Sequence, residues 1–252
     1  MVGPALLFLG IAGFLYTGYR LRPAYHVYRG DTDDVIAAER ADGPVELEGT
    51  ASEIDDTVEA PLTGTPCLVY EYEVEELRSS GKNSSWDTVD SGMGGLPFRL
   101  EDRTASVRVE PAGADLALST SASTRIDGGE REPGSIRRFL EHESDLESEN
   151  TSLDLGVVEF ATGNDRKYHE RRLDPGEEAY VFGQSRYDVE ARETMRDISA
   201  VVGDGPDTPA FVVADSCQDG ATRLLVRQQL SWLAISAIVF VFGLWMTAAM
   251  AF

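Results

Sequence analysis

The two ends of this chain carry no charged side chain, and every charge lies between them. Val2 to Tyr19 (VGPALLFLGIAGFLYTGY) and Leu230 to Phe252 (LSWLAISAIVFVFGLWMTAAMAF) contain no Asp, Glu, Lys or Arg. A helix rising 1.5 Å per residue needs about 20 apolar residues to cross roughly 30 Å of hydrocarbon. The pattern therefore predicts a transmembrane helix over 1–19, a soluble domain over 20–229 and a second transmembrane helix over 230–252. A cleaved secretory signal is the alternative for the first segment. It is disfavoured because no basic residue precedes the apolar run, and Arg20, Arg22 and Pro23 stand where small cleavage-site residues belong.

All 22 Lys and Arg and all 44 Asp and Glu fall in the middle, so the net charge of −22 belongs to the soluble part. Only Lys82 and Lys167 are lysines. An acidic, lysine-poor surface suits a halophilic protein, because concentrated salt screens the self-repulsion. An acidic face that recruits a basic partner is the competing explanation. The charge is dispersed and not gathered in one block, which favours solvation. Nucleic acid is not an expected partner, since phosphate binding needs a basic stripe.

Periodicity in the middle is mostly that of strands. Residues 31–41 (DTDDVIAAERA) predict a short helix with Asp31 to Asp34 as caps, closed by Gly43 and Pro44. VELEGTASEI (45–54) alternates, and 58–77 ends in a long strand with Leu68, Tyr70, Tyr72 and Val74 on one face. Residues 78–95 (RSSGKNSSWDTVDSGMGG) predict a loop with strand character around Trp86. PFRLEDRTASVRVEP (97–111) is a half-buried hairpin, with Phe98, Leu100, Val107 and Val109 facing inward and prolines at both ends. Residues 133–149 predict a helix capped by Ser135, with Ile136, Phe139, Leu140 and Leu146 on one face. Further strands are expected in GVVEFATG and HERRLDPGEEAYVFGQSRYDV, the latter turning at Asp174-Pro175-Gly176. ISAVVGDGPDTPAFVVAD predicts a hairpin-like pair, after which a helix starting at Asp215 or Ser216 leads into the second span. The expected fold is mainly β (α+β): one barrel-like or sandwich-like domain of seven to nine strands with two short helices, flanked by two transmembrane helices. Closure into a barrel is favoured because it removes exposed edges.

Few residues suggest chemistry. Cys67 and Cys217 are the only cysteines, and His26, His142 and His169 are scattered, so no zinc site and no cofactor is expected. Cys67 reads as a buried thiol. SGMGG (91–95) lacks the strand-to-helix context of a phosphate cradle. DTDD (31–34) lacks the glycine and distal glutamate of a calcium loop. In Tyr168-His169-Glu170-Arg171 the histidine has the chemistry of a base, but local hydrogen bonding is the commoner use. Trp86, Tyr70 and Tyr72 read as core aromatics before they read as a peptide-binding patch. No catalytic residue is assigned.

The order of these pieces carries a resemblance. Trp86 in its loop, Pro97, Phe98 and Leu100 leading into Val107, Val109 and Pro111, Gly176 and Gly183 around a late strand, and FVVADS before the second apolar segment together resemble the GIDE/Mulan family. This is the beside-a-membrane domain of mitochondrial-type RING E3 ubiquitin ligases. The resemblance implies a membrane-flanked scaffold. In that family the zinc-bearing RING follows the second span, whereas this sequence runs to Phe252 within the apolar segment and lacks the Cys and His of two zinc sites. The leading expectation is a non-catalytic, membrane-tethered binding or scaffold module with the lipid bilayer and an unidentified protein as partners. The alternatives are an E3 ubiquitin transferase-like component working with a separate catalytic protein, and a hydrolase with a carboxylate site. Arg20, Arg22, Arg29, Arg223 and Arg227 lie on the domain side of the spans, so the positive-inside rule predicts a cytoplasmic domain with both termini outside. The sequons at Asn83 and Asn150 point the other way, because glycosylation would matter only outside.

Overall fold

The computed structural model of the chain describes residues 8–13, 15–16, 32–80, 83–142, 146, 151–154, 159–187, 198–208, 210–215, 234–245 and 247. The strands, in chain order, begin with β1 (Gly43–Glu53), β2 (Val58–Glu59), β3 (Pro66–Cys67), β4 (Val69–Ser80), β5 (Asn83–Gly95), β6 (Phe98–Glu101) and β7 (Ser106–Val109). They continue with β8 (Asp115–Ala117), β9 (Thr120–Ile126), β10 (Thr151–Asp154), β11 (Glu159–Thr162), β12 (Arg166–Leu173), β13 (Glu178–Tyr187), β14 (Ile198–Gly203) and β15 (Val212–Ala214). A 3₁₀ helix spans Val35–Glu39 and helix α1 spans Gly134–His142. The protein is mainly β, with more and shorter strands than the seven to nine expected.

Five strands close into a barrel in the order β1-β6-β7-β14-β13 and back to β1. Neighbours are antiparallel except β7 and β14, which are parallel. Alternation decides what fills it. Val45 and Leu47 of β1, Phe98 and Leu100 of β6, Val107 and Val109 of β7, Val181 of β13 and Val202 of β14 all enter one buried cluster. The 3₁₀ helix plugs one end, adding Val35 and Ala38 to that core. Ser185 Oγ donates to the Ala38 carbonyl at 2.7 Å and fixes the plug to β13. At this scale a side chain in every inward position fills a small barrel completely.

The helix expected over 31–41 is reduced to this single 3₁₀ turn, and its caps are not the nearby aspartates. Asp34 makes no side-chain cap. Instead Asp102 Oδ2 accepts from the Val35 amide at 3.0 Å, and Thr104 Oγ1 accepts from Ile36 at 3.1 Å. Both come from the tip of the β6–β7 hairpin. Asp31 lies outside the described residues.

A second, four-stranded antiparallel sheet runs β5-β4-β12-β9. One of its faces is covered by α1, whose Ile136, Phe139 and Leu140 pack with Val74, Ile126 and Tyr168. Tyr72 meets Phe139 edge-on at 4.9 Å. The described helix runs from Gly134 to His142; residues 143–145 and 147–149 of the expected span lie outside the described residues. Pro133 provides its first carbonyl acceptor, to Arg137, so Ser135 sits inside the helix and not at its cap. Leu146 nevertheless packs on the same cluster.

Two further expectations need correction. Residues 78–95 are not a loop: they are the end of β4 and all of β5, paired from Val69↔Gly95 to Ser80↔Asn83. Strand character around Trp86 extends through all the described residues of the segment; 81 and 82 lie outside them. The late pair also differs, because β14 and β15 do not pair with each other. Both pair along β13, and β15 adds β8 in parallel. Gly183 sits on β13 between these two partners. A Cβ there would fall 2.9 Å from the Phe211 ring and 3.0 Å from the Gly203 carbonyl, so only glycine admits both.

The described terminal residues are helical over 8–13, 15–16 and 234–245. Among the described residues no helix is long and apolar enough to cross a membrane. The two stretches pack against each other through their smallest residues. A Cβ on Gly10 would fall 2.8 Å from Phe240 Cα, and one on Gly13 would fall 2.5 Å from Ser236 Oγ. Gly10, Ser236 and Gly243 are buried, while Phe8, Leu9, Ile11, Leu15, Ile238, Val241 and Trp245 are exposed.

Candidate functional site

The face of the four-stranded sheet opposite α1 collects the chain's scarce cations. Strand alternation turns Lys167, His169 and Arg171 of β12 to this side, opposite Glu75, Glu73 and Glu71 of β4. Arg171 reaches Glu71 at 3.0 Å and Glu73 at 3.4 Å. Thr88 donates to Glu73 at 2.9 Å, and Arg125 of β9 binds Asp165 at 2.7 Å. The face is thus a lattice of ion pairs in which carboxylates outnumber the cations. These are exposed or partly exposed contacts that salt screens further.

Trp86 lies at the edge of this lattice. Its ring takes the Lys167 ammonium at 3.9 Å from the centroid and the Arg125 guanidinium at 5.5 Å, the geometry of a cation–π contact. The sequence singles out Trp86 but gives no hint of its two cations, which come from β12 and β9. The long β4–β5 pairing brings all three together.

His169 bridges Ser123 and Glu75. Ser123 Oγ lies 3.0 Å from Nδ1, and Glu75 lies 3.3 Å from Nε2. The residue types are those of a hydrolase triad, but the surroundings are not. The site is a flat ladder, and the β12 amides are spent on β4 and β9, so among the described residues no pair of donors faces the Ser123 hydroxyl as an oxyanion hole. Adjacent residues on a strand face opposite ways, so Glu170 is no partner for His169.

Glu170 is fully buried on the other face. It accepts from the amides of Leu62 and Thr63 at 2.8 and 3.1 Å, from Thr63 Oγ1 at 2.6 Å and from Arg172 at 3.0 Å. Arg172 forks onto Asp174 at 3.0 and 3.2 Å. Together the four donors satisfy the carboxylate and tie residues 62–63 to β12, which is structural work. Cys67 packs beside this network. Burial first, and the Asp174 and Glu170 charges next, push its thiol up to about 12, so it is an unreactive thiol as expected. Cys217 lies outside the described residues.

A second polar grouping, Glu76 with Arg166 at 3.0 Å, is likewise buried, with Asn164 donating to the other carboxylate oxygen at 3.2 Å. The Tyr180 hydroxyl is buried on the outer side of β13. Burial and then Glu46 raise it far above the ordinary tyrosine range, keeping it neutral. A carboxylate-rich recess, lined by Asp34, Glu48, Glu101, Asp102 and Glu178, is open. Partial burial raises Asp102, but hydrogen bonds from Thr104 and the amides of Val35, Thr104 and Ala105 outweigh it and hold the carboxyl at about 2. That is the opposite of a general acid poised near neutrality.

No family model, curated protein or solved structure matches the chain.

The positions carried by the GIDE resemblance divide cleanly by role. Phe98, Leu100, Val107 and Val109 are barrel core. Gly176 supplies the positive φ (+89°) of the Asp174–Glu177 turn, and Gly183 is the close approach on β13. Pro97 lines a groove, and Trp86 is the cation-bound ring. SGMGG is a strand end whose glycines lie beneath rings: a Cβ on Gly92 or Gly94 would fall 2.7 Å from the Tyr72 ring or 2.6 Å from the Tyr70 hydroxyl. Among the described residues, no three metal-ligating side chains converge.

Proposed function

We propose that the chain is a two-pass membrane protein whose β body is a non-catalytic binding or scaffold module held against the bilayer, in the manner of a GIDE-type domain. The observation that carries this reading is the pattern of the terminal helical stretches. A helix in water turns its large apolar residues inward. Here Gly10, Ser236 and Gly243 are inside, and Phe8, Ile11, Leu15, Ile238, Val241 and Trp245 point out. Lipid suits such a pair, because in hydrocarbon small residues let helices approach while large apolar ones meet acyl chains. The contacts run antiparallel, Gly10 to Phe240 and Gly13 to Ser236, as two anchors of one domain require. Both stretches lie within the uncharged segments 2–19 and 230–252.

Five arginines flanking those segments on the domain side support a cytoplasmic body. Extraction of membranes with alkaline carbonate tests the anchoring: the protein is expected to stay in the pellet, and release to the supernatant would overturn it. Sidedness is read with an impermeant thiol reagent on a Ser84→Cys, Cys217→Ser variant, since Ser84 is exposed and Cys67 is buried. Labelling only after lysis is expected. A stoichiometric protein partner should co-purify with the detergent-solubilised chain, and its consistent absence would count against the module.

A further inference from the structure

A groove of about 480 Å³ opens where the second sheet leaves the barrel. Its walls are largely apolar: Met93 to Gly95 of β5, Pro97 and Val69 on one side, Pro111 to Gly113 and Leu116 of β8 on the other. Met93 is 56 % exposed and Leu96 beside it 37 %, although large exposed apolar residues are few on this acidic body. The groove also borders two strand edges. β5 pairs only with β4, and β8 only with β15, among the described residues. Alternate residues of an edge strand turn their N–H and C=O away from the sheet, where an added strand can bond to them.

We propose that this groove docks an extended segment of a partner protein, which adds to the open edge of β5 and sets a bulky apolar side chain between Met93, Pro97, Pro111 and Leu116. The proposal rests on the module reading above and names its partner class. An acyl chain fits the apolar walls equally well but cannot use a strand edge. Carboxylates also stand at the rim: Glu110 lines the groove, and Asp204 lies 3.6 Å from where a Gly113 Cβ would be. Glu110 is bound by Arg186 and approached by Arg108, which leaves Asp204 to repel anionic headgroups and to favour a flanking Lys or Arg on the incoming segment. Backbone pairing supplies affinity and the alternate side-chain pocket supplies selectivity.

The test is selection of a displayed random dodecapeptide library on the full chain in lipid nanodiscs, against empty nanodiscs. Selected peptides should carry a bulky apolar residue with a neighbouring Lys or Arg, and should slow amide exchange at 93–96 and 115–117. Ala112→Trp, at an exposed position that fills the groove, should weaken them by about tenfold or more, as should Met93→Glu. Both variants must keep the parent's melting midpoint for the comparison, and Leu116→Ala serves as a third if either does not. Peptides that protect a different surface and ignore these substitutions overturn the groove while leaving the module intact. Displacement by a short-chain phospholipid carrying no peptide overturns it in favour of lipid. No selected peptide at all overturns it too, and the module is then judged by the co-purifying partner alone.

Discussion

Asp102 does two things at once from the tip of one hairpin. Its Oδ1 closes the Asp-Arg-Thr turn through Thr104 and Ala105, and its Oδ2 caps a helix far back in the sequence at Val35. Together these bonds hold the carboxyl at about 2, below its ordinary 3.8, so the unfolded chain takes up the proton more readily than the folded one. The stabilisation is therefore complete above about pH 4 and is lost as pH falls from there towards 2. Asp102→Asn should cost about 1 kcal/mol at neutral pH, the scale of a lost cap, and should flatten the acid limb of the stability curve between pH 4 and 2. Denaturant melts at several pH values in that window measure it; parallel curves for the two proteins would mean that the cap contributes nothing. The nearby candidates Asp33 and Asp34 are the ones a local reading selects. Only barrel closure brings position 102 to position 35, so no local pattern in the sequence could reveal the true cap.

At the scale of elements, legibility followed from whether a strand had two chemically different faces. Phe98, Leu100, Val107 and Val109 alternate with charged or polar residues, and each was assigned inward correctly because one face is core and the other meets water. The β5 stretch offers no such contrast: its Ser, Asp and Gly residues read as loop. Its extended form is imposed by the register with β4 and by Tyr70 and Tyr72 covering the glycines that weaken a strand alone. Pairing of β14 and β15 along β13 was hidden for a related reason, since both runs are apolar and nothing local says which neighbour they take. Two glycines at the end of β5 give a test that separates these causes. A Cβ on Gly94 meets the half-buried Tyr70 ring, which has room to swing outward. A Cβ on Gly95 meets Val69 at 2.5 Å and the Leu68 carbonyl at 3.0 Å, both in packed structure. Gly95→Val should therefore destabilise by about 2 kcal/mol or more, and Gly94→Val by under about 1 kcal/mol. Equal losses in equilibrium unfolding would show that strand entropy, and not crowding, sets the need for glycine.

Over the whole molecule, charge decides the conditions under which this fold is stable. With 44 acidic side chains against 22 Lys and Arg, at least 22 carboxylates have no cation of their own. Among the described residues several cations are committed already, on the sheet face around Lys167 and Arg171 and at Arg125, Arg166 and Arg172. Repulsion among the remainder is felt over about 10 Å in 0.1 M salt and over about 3 Å at 1 M. The barrel core is indifferent to this screening, and the surface ion pairs lose a little by it, so the net effect of salt is set by relief of the unpaired acids. Thermal midpoints should rise steeply from low salt to about 1 M and then level off. Sodium and potassium chloride should act alike if screening is the cause, whereas sulfate should add a further rise by strengthening apolar burial. A midpoint that falls on adding salt would mean that the ion-pair lattice outweighs the repulsion, and the acidic surface would then need a specific basic partner to explain it. The same argument reaches the docking groove: binding driven by apolar contact and strand pairing survives molar salt, and binding driven by the rim carboxylates does not.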